Sequence, residues 1–405
     1  MKNIKLTTAF RRLFALSLGT ALFVSSFSLA AVQVIPKGDD VPPPQSMELT
    51  EEDLKQLFSE SVQDYRNILR KHWPDAEISN KTRLVSYSDD LQQKRVIDFA
   101  GNELQITMAS VRRDKLLDYR QMQASLYDSI KTLLSTDLET AIKQDPINRD
   151  MAQALNKDLA SELGAMGKDL ILSELFQEER PDIKAIERMA RKLTKDAYIR
   201  YPAVASLEVS FILQDRTTYI VPLPDKRIQA KAKRYKPFIF EFAQSYNLPP
   251  ALIFAIVHAE SSFNPLARSQ VPAFGLMQIV PHSAGKDASK LIYNQIKILS
   301  PNYLYNPQKN VRIGAAYFHL LYYRYLNEIE DSNARMYCAI AAYNAGLSSV
   351  MRTLTGSASI NDAPKRINRM SANEVLRTLV RQMPSAETRE YLSKILKLQK
   401  TYAQI

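Results

Sequence analysis

Between Pro250 and Asn264-Pro265 the chain carries an apolar stripe that ends in an acid. Ile253, Ile256, Val257 and Glu260 fall at i, i+3, i+4 and i+7, one face of a helix. Pro249 or Pro250 can start that helix, and Asn264-Pro265 can stop it. A fold that buries the stripe also draws Glu260 out of water. Desolvation raises a carboxyl pKa toward the range of a general acid. Between Glu241 and Asp287, Glu260 is the only carboxylate. The plainer reading, a carboxylate that caps or salt-bridges on an exposed turn, stays open at this point.

The rest of the composition narrows the chemistry. Cys338 is the single cysteine, so an intrachain disulfide or a two-thiolate site is impossible. The four histidines, His72, His258, His282 and His319, form no HExxH pair. His258-Ala259-Glu260 echoes the H-x-E element of zinc deaminases, but those need a P-C-x-x-C partner. No metal and no cofactor is expected, and Cys338 reads as a buried apolar residue.

Charge is divided unevenly. Residues 226–405 hold 24 Lys/Arg against 10 Asp/Glu, a net of +14, while residues 31–225 come to −7. That division predicts two domains with different tasks and a basic half that meets something anionic. Nucleic acid, anionic lipid and anionic glycan all satisfy it. Lys2, Lys5, Arg11 and Arg12 precede an apolar run over 13–27, and Ser28-Leu29-Ala30 supplies small residues for cleavage before Ala31. Residues 1–30 thus read as a cleaved signal peptide, which predicts a periplasmic location and argues against nucleic acid as partner. No cysteine stands at the cleavage site to carry a lipid, so a lipoprotein is not expected.

Residues 31–47 form a proline-rich tether. Residues 48–224 read as an α+β domain. It has a helix near 49–71 opened by a capping box at Thr50, short strands over 83–88, 95–99 and 104–108, and helices over 115–140, 151–176 and 182–197. A strand over 203–213 could pair with one over 217–221. The remainder, residues 225–405, reads as all helix and loop, starting with a helix over 228–246.

Several blocks now carry a resemblance. They are Glu260-Ser261 at a helix end, Phe263-Asn264-Pro265, Gly275-Leu276-Met277-Gln278-Ile279, and Ala342-Tyr343-Asn344-Ala345-Gly346. In order and spacing they resemble the soluble-lytic-type catalytic domain of the lytic murein transglycosylases. Ser283 to Asp287 and Pro384 to Leu392 look like the membrane-bound murein transglycosylase C branch. Val271-Pro272-Ala273-Phe274 departs from the usual Gly-Ala-type approach to the second block.

The resemblance implies an α+β N-terminal domain followed by an all-α, lysozyme-like catalytic domain. It implies cleavage of the β-1,4 bond between N-acetylmuramic acid and N-acetylglucosamine without water, leaving 1,6-anhydromuramoyl ends. Glu260 would be the acid and then the base. Ordinary glycosidases need two carboxylates; here the resemblance implies the substrate's own C6 hydroxyl as nucleophile. Substrate contacts are implied at Ser261, Ser269, Gly275, Met277, Gln278, Tyr343, Asn344 and Tyr391. Several have plainer alternatives: a helix-end hydrogen bond for Ser261, a loop turn for Ser269, core packing for Met277, an ordinary half-buried ring for Tyr343. Peptidoglycan glycan strands are the implied partner, with peripheral membrane or wall association and other cell-wall enzymes left open. Two rivals remain, a goose-lysozyme-like hydrolase and a non-catalytic peptidoglycan-binding protein.

Overall fold

The computed structural model describes residues 50–109, 116–155, 159–178, 180–200 and 216–405. The expected signal peptide, the tether and the strand over 203–213 lie outside them. Among the described residues no helix is long and apolar enough to cross a membrane.

Helix α1 (Glu51–Arg70) opens on the predicted box. Thr50 Oγ1 accepts from the Asp53 amide, and the Asp53 carboxylate accepts from the Thr50 amide. Its apolar face buries Leu54, Phe58 and Leu69. Strands β1 (Arg83–Tyr87), β2 (Lys94–Asp98) and β3 (Glu103–Ala109) form a meander, with Val85 opposite Val96 and Ile97 opposite Leu104. Leu104, Ile106 and Met108 are buried at the period of two expected of a strand with one covered face. Four helices follow: α2 (Leu116–Ser135), α3 (Leu138–Gln144), α4 (Pro146–Leu155) and α5 (Leu159–Leu163). After α6 (Ile183–Lys195) come the short β4 (Tyr198–Ile199) and β5 (Arg216–Pro222). The antiparallel sheet runs β1-β2-β3-β5-β4.

Two of the predicted helices are broken. The helix over 115–140 stops at Ser135, where Asp137 caps α3 by accepting from the Thr140 amide. The stretch over 151–176 holds the end of α4 and the short α5, which stops at Leu163 and is followed only by short 3-10 turns. Gly164 takes φ +57°, which a right-handed helix cannot accommodate. Glu162 turns inward there to accept from the Ser300 hydroxyl at 2.6 Å.

The C-terminal half is all helix and loop: α7 (Arg227–Ser245), α8 (Pro250–Ser261), α9 (Lys286–Tyr293), α10 (Pro301–Tyr305), α11 (Pro307–Leu320), α12 (Ser332–Ala345), α13 (Leu347–Thr355), α14 (Ala363–Ile367), α15 (Ala372–Gln382) and α16 (Ala386–Tyr402). Single π-turns sit before α9 and after α11. Helix α8 is more deeply set than a one-sided stripe suggests. Leu252 through Val257 are all buried, because α7 and α16 flank it on the sides the stripe left unassigned. Tyr402 of α16 stacks on Phe254 at 5.3 Å.

The two halves share a continuous apolar core within one compact unit, Val41–Ile405. At their seam lies a buried ionic cluster. Glu174 accepts from Arg227 and Lys231, each at 3.0 Å, with all three side chains removed from solvent. Arg227 also reaches Asn102 Oδ1 at 2.7 Å and the Phe99 carbonyl at 2.8 Å in the β2–β3 hairpin. A nearby cavity of about 190 Å³ is lined by Ile171, Lys231, Tyr235, Phe238 and Pro265, and not by Glu260, Tyr343 or Tyr391.

Candidate active site

Glu260 lies in the last turn of α8 and is 6% exposed. The chain then leaves the helix by an abrupt route. Ser262 and Phe263 both take left-handed φ, +50° and +64°. Two such non-glycine residues in succession store backbone strain, a feature that clusters at functional sites. Asn264 closes the turn by accepting from the Leu266 amide at 3.1 Å.

Burial is the main reason that the Glu260 pKa rises from 4.5 to about 7. Lys81 opposes it most, then the Tyr391 phenol; Glu387 adds to it, and Lys394 subtracts. Tyr391, on α16, stands beside the carboxyl, yet its Oη makes no full hydrogen bond and is a buried polar atom without a partner. Burial and the Glu260 charge together push the Tyr343 and Tyr391 hydroxyls well above their ordinary range, so both remain protonated donors. Lys394 Nζ donates to the Ala259 carbonyl at 3.3 Å.

The block from Gly275 to Ile279 forms a tight reversal. Phe274 and Ile279 exchange backbone hydrogen bonds at 3.0 Å, and the Gly275 amide donates to the Ala267 carbonyl at 2.8 Å. Asn310 of α11 holds the turn from within. Its Oδ1 accepts from the Met277 amide, and its Nδ2 donates to the Phe274 and Leu304 carbonyls, all at 2.8 Å. Gly275 has φ +76°, and a Cβ there would fall 2.2 Å from the Leu304 oxygen. The close approach that requires glycine is therefore to the protein itself. Met277 is fully buried against Gly314, so its side chain packs in the core while its carbonyl accepts from Tyr343 Oη at 2.9 Å. Gln278, at φ +49°, donates to the Gly275 carbonyl and leaves Oε1 buried without a partner.

The remaining predicted residues divide. Ser261 donates to the Val257 carbonyl at 2.9 Å, the helix-end bond of its plainer reading. Ser269, half-exposed, turns its hydroxyl to the Val271 carbonyl in its own loop. Asn344 accepts from Thr388 Oγ1 at 2.7 Å, which ties the end of α12 to the start of α16. Tyr343 and Tyr391 are the two whose charge environment is shared with Glu260. Sequence reasoning missed Asn310, Thr388, Lys394 and Lys81. Neither Asn310, on a helix that also carries Gln308, Lys309 and Arg312, nor Lys81, some 180 residues from Glu260, had a signal in the sequence.

His258 Nδ1 meets the Tyr402 hydroxyl at 2.9 Å, and burial drives its pKa down to about 4. It is a neutral packing residue. Burial likewise pushes the Cys338 thiol up to about 12. Among the described residues no three His, Cys, Asp or Glu side chains gather to hold a metal.

A buried carboxyl at a helix end, with two tyrosines bearing on it and one of them bonded to the glycine-bearing turn, is the arrangement to compare with known proteins. Residues 237–364 match the Transglycosylase SLT domain. Several relatives carry the name membrane-bound lytic murein transglycosylase C, among them the following three. That of Histophilus somni (strain 2336) is 36% identical over 225 residues, covering 52% of this chain and 61% of the relative. That of Sodalis glossinidius is 40% identical over 197 residues, covering 47% and 54%. That of Actinobacillus succinogenes is 39% identical over 178 residues, covering 44% and 49%. The chain thus spans about half to three-fifths of the length of the curated relatives it matches. A lytic transglycosylase Slt from Pseudomonas aeruginosa aligns at 19% identity with a TM-score of 0.35, over 87% of this chain and 51% of that one, too slight a likeness to carry an argument. The SLT match contains Glu260, the Gly275 turn and Tyr343, and stops before Tyr391.

Proposed function

We propose that this chain is a peptidoglycan lytic transglycosylase that cuts the β-1,4 bond between N-acetylmuramic acid and N-acetylglucosamine without water. Residues 48–224 form its accessory α+β domain and residues 225–405 its catalytic domain. Protonated Glu260 donates its proton to the glycosidic oxygen as the C1–O bond breaks. The C6 hydroxyl of the same muramic residue then attacks C1, and its proton passes to the Glu260 carboxylate. The C1–O6 bond formed is the 1,6-anhydro bridge, and Glu260 ends as it began. Tyr391 supplies a protonated hydroxyl beside the acid, Tyr343 braces the Met277 carbonyl of the turn, and Gln278 Oε1 is an acceptor awaiting a sugar N–H.

The observation that carries this reading is the setting of Glu260, 6% exposed at the end of α8 beside Tyr391, where burial raises its pKa to about 7 and lets one group donate and then accept at neutral pH. Glu387, whose charge also bears on Glu260, is largely exposed and engaged by Lys81 at 2.9 Å, poorly suited to be a second catalytic carboxylate. The signal-peptide pattern of residues 1–30 and the names of the relatives support action in the cell envelope, in the periplasm.

The test is digestion of purified sacculi followed by mass spectrometry. Anhydro ends from the native chain and none from Glu260→Gln are expected. Reducing ends alone would turn the reading to the hydrolase; binding without cleavage by both proteins would turn it to the non-catalytic alternative.

A further inference from the structure

Residues 79–81 belong to the N-terminal half, yet they are sewn to the loop that leaves the helix of Glu260. Asn264 Nδ2 donates to the Lys81 carbonyl at 3.3 Å. The Arg268 amide donates to the Asn80 carbonyl at 3.4 Å, and Arg268 Nε to the Ser79 carbonyl at 3.3 Å. Arg268 itself is buried and pinned to Asp145 at 2.9 Å. The backbone of Lys81 is therefore fixed to the catalytic half. Its side chain crosses to α16, where Nζ lies 2.9 Å from Glu387 Oε1, one turn before Tyr391.

As a prop for the fold this exposed pair contributes little. Its position matters more. The groups that bear on Glu260 come from three places: Lys81 from the N-terminal half, Tyr343 from α12, and Glu387, Tyr391 and Lys394 from α16. On α8 itself, neutral His258 is engaged with Tyr402. Of the two cations, Lys81 acts more strongly on the carboxyl.

We propose that Lys81 is a positioning residue of the catalytic site: clamped between Asn264 and Glu387, its ammonium keeps the buried Glu260 able to release a proton as well as to hold one. The inference rests on Glu260 being the acid and base proposed above. Burial alone favours the protonated form and would leave a reluctant donor. Lys81 restores the balance, and Glu387 limits how far. The N-terminal half is thus part of the chemistry.

The experiment uses the full chain and its Lys81→Met, Lys81→Arg and Glu387→Gln variants. Two readouts are taken on each: the pH profile of kcat/KM on sacculi, and the titration of the Glu260 carboxyl by NMR with carbon-13-labelled glutamate. Lys81→Met should move the alkaline limb and the titration upward by about half a pH unit or more. Lys81→Arg should restore both, and Glu387→Gln should move both downward. A Lys81→Met protein whose titration coincides with the native one, and whose activity is unchanged or falls evenly at every pH, overturns the proposal. If the native chain cleaves no sacculi, the proposed function fails, and the NMR titration still decides the role of Lys81.

Discussion

Replacing Glu260 by glutamine removes a charge that the fold disfavours, so the variant should be more stable than the native chain at high pH. Folded, Glu260 keeps its proton to about pH 7; unfolded, its carboxyl returns to 4.5. Between those values the native state binds more protons than the unfolded state, so unfolding free energy falls as pH rises. The native chain is unpenalised below pH 4.5 and bears the full cost once pH has passed 7. Each pH unit of that interval is worth about 1.4 kcal/mol, which makes the whole effect about 3 kcal/mol. Glutamine matches glutamate in shape and never ionises. Melting of both proteins should therefore show a Glu260→Gln advantage at pH 8 that exceeds its value at pH 4 by about 3 kcal/mol. For a unit the size of Val41–Ile405, an unfolding entropy of about 2.1 cal/mol/K per residue turns this into about 4 °C. Calorimetry across pH 4 to 9 is the assay. A difference between the two proteins that stays constant with pH, or narrows as pH rises, refutes the buried-acid argument.

Three further outcomes follow from the same geometry. Gly275→Ala sets a methyl 2.2 Å from the Leu304 oxygen and 2.3 Å from Asn310 Nδ2. It should cost about 4 kcal/mol, against about 1–2 kcal/mol for Gly356→Ala, where φ is also positive and nothing lies within 4 Å; equal urea midpoints would disprove this. Asn310→Ala strands one amide and two carbonyls of the reversal, a loss of about 3 kcal/mol, and sacculus turnover should fall with it. Glu174→Gln leaves Arg227 and Lys231 buried without an anion, costing about 3–5 kcal/mol. Glu187→Gln breaks the solvent-screened pair with Lys131 and should leave the midpoint of the same denaturation series nearly unchanged.

What the sequence made legible was local and periodic. The stripe from Ile253 to Glu260 announced α8 and its buried acid, and the capping box at Thr50 announced the start of α1. What it hid depends on partners distant along the chain. The segment 151–176 read as one helix, and only the bond of Ser300 to Glu162, with the left-handed Gly164, shows why α5 stops at Leu163. Gly275 and Met277 were expected to meet the sugar, whereas Gly275 packs against Leu304 and Asn310 and Met277 against Gly314, contacts that need α10 and α11 in place. Lys81 gave no sign at all, because its meaning is the company it keeps across the seam.

That seam also bears on how such a chain is inherited. A helical C-terminal half preceded by a short proline-containing junction, Pro222 to Lys226, looks like a cassette that recombination could graft onto any partner. The cluster of Glu174 with Arg227 and Lys231 forbids it here. A crossover at the junction would carry away two cations and leave their anion behind, stranding charge in the interior of both products. The two halves must descend together, and substitutions at these three positions should be exchanged only in concert.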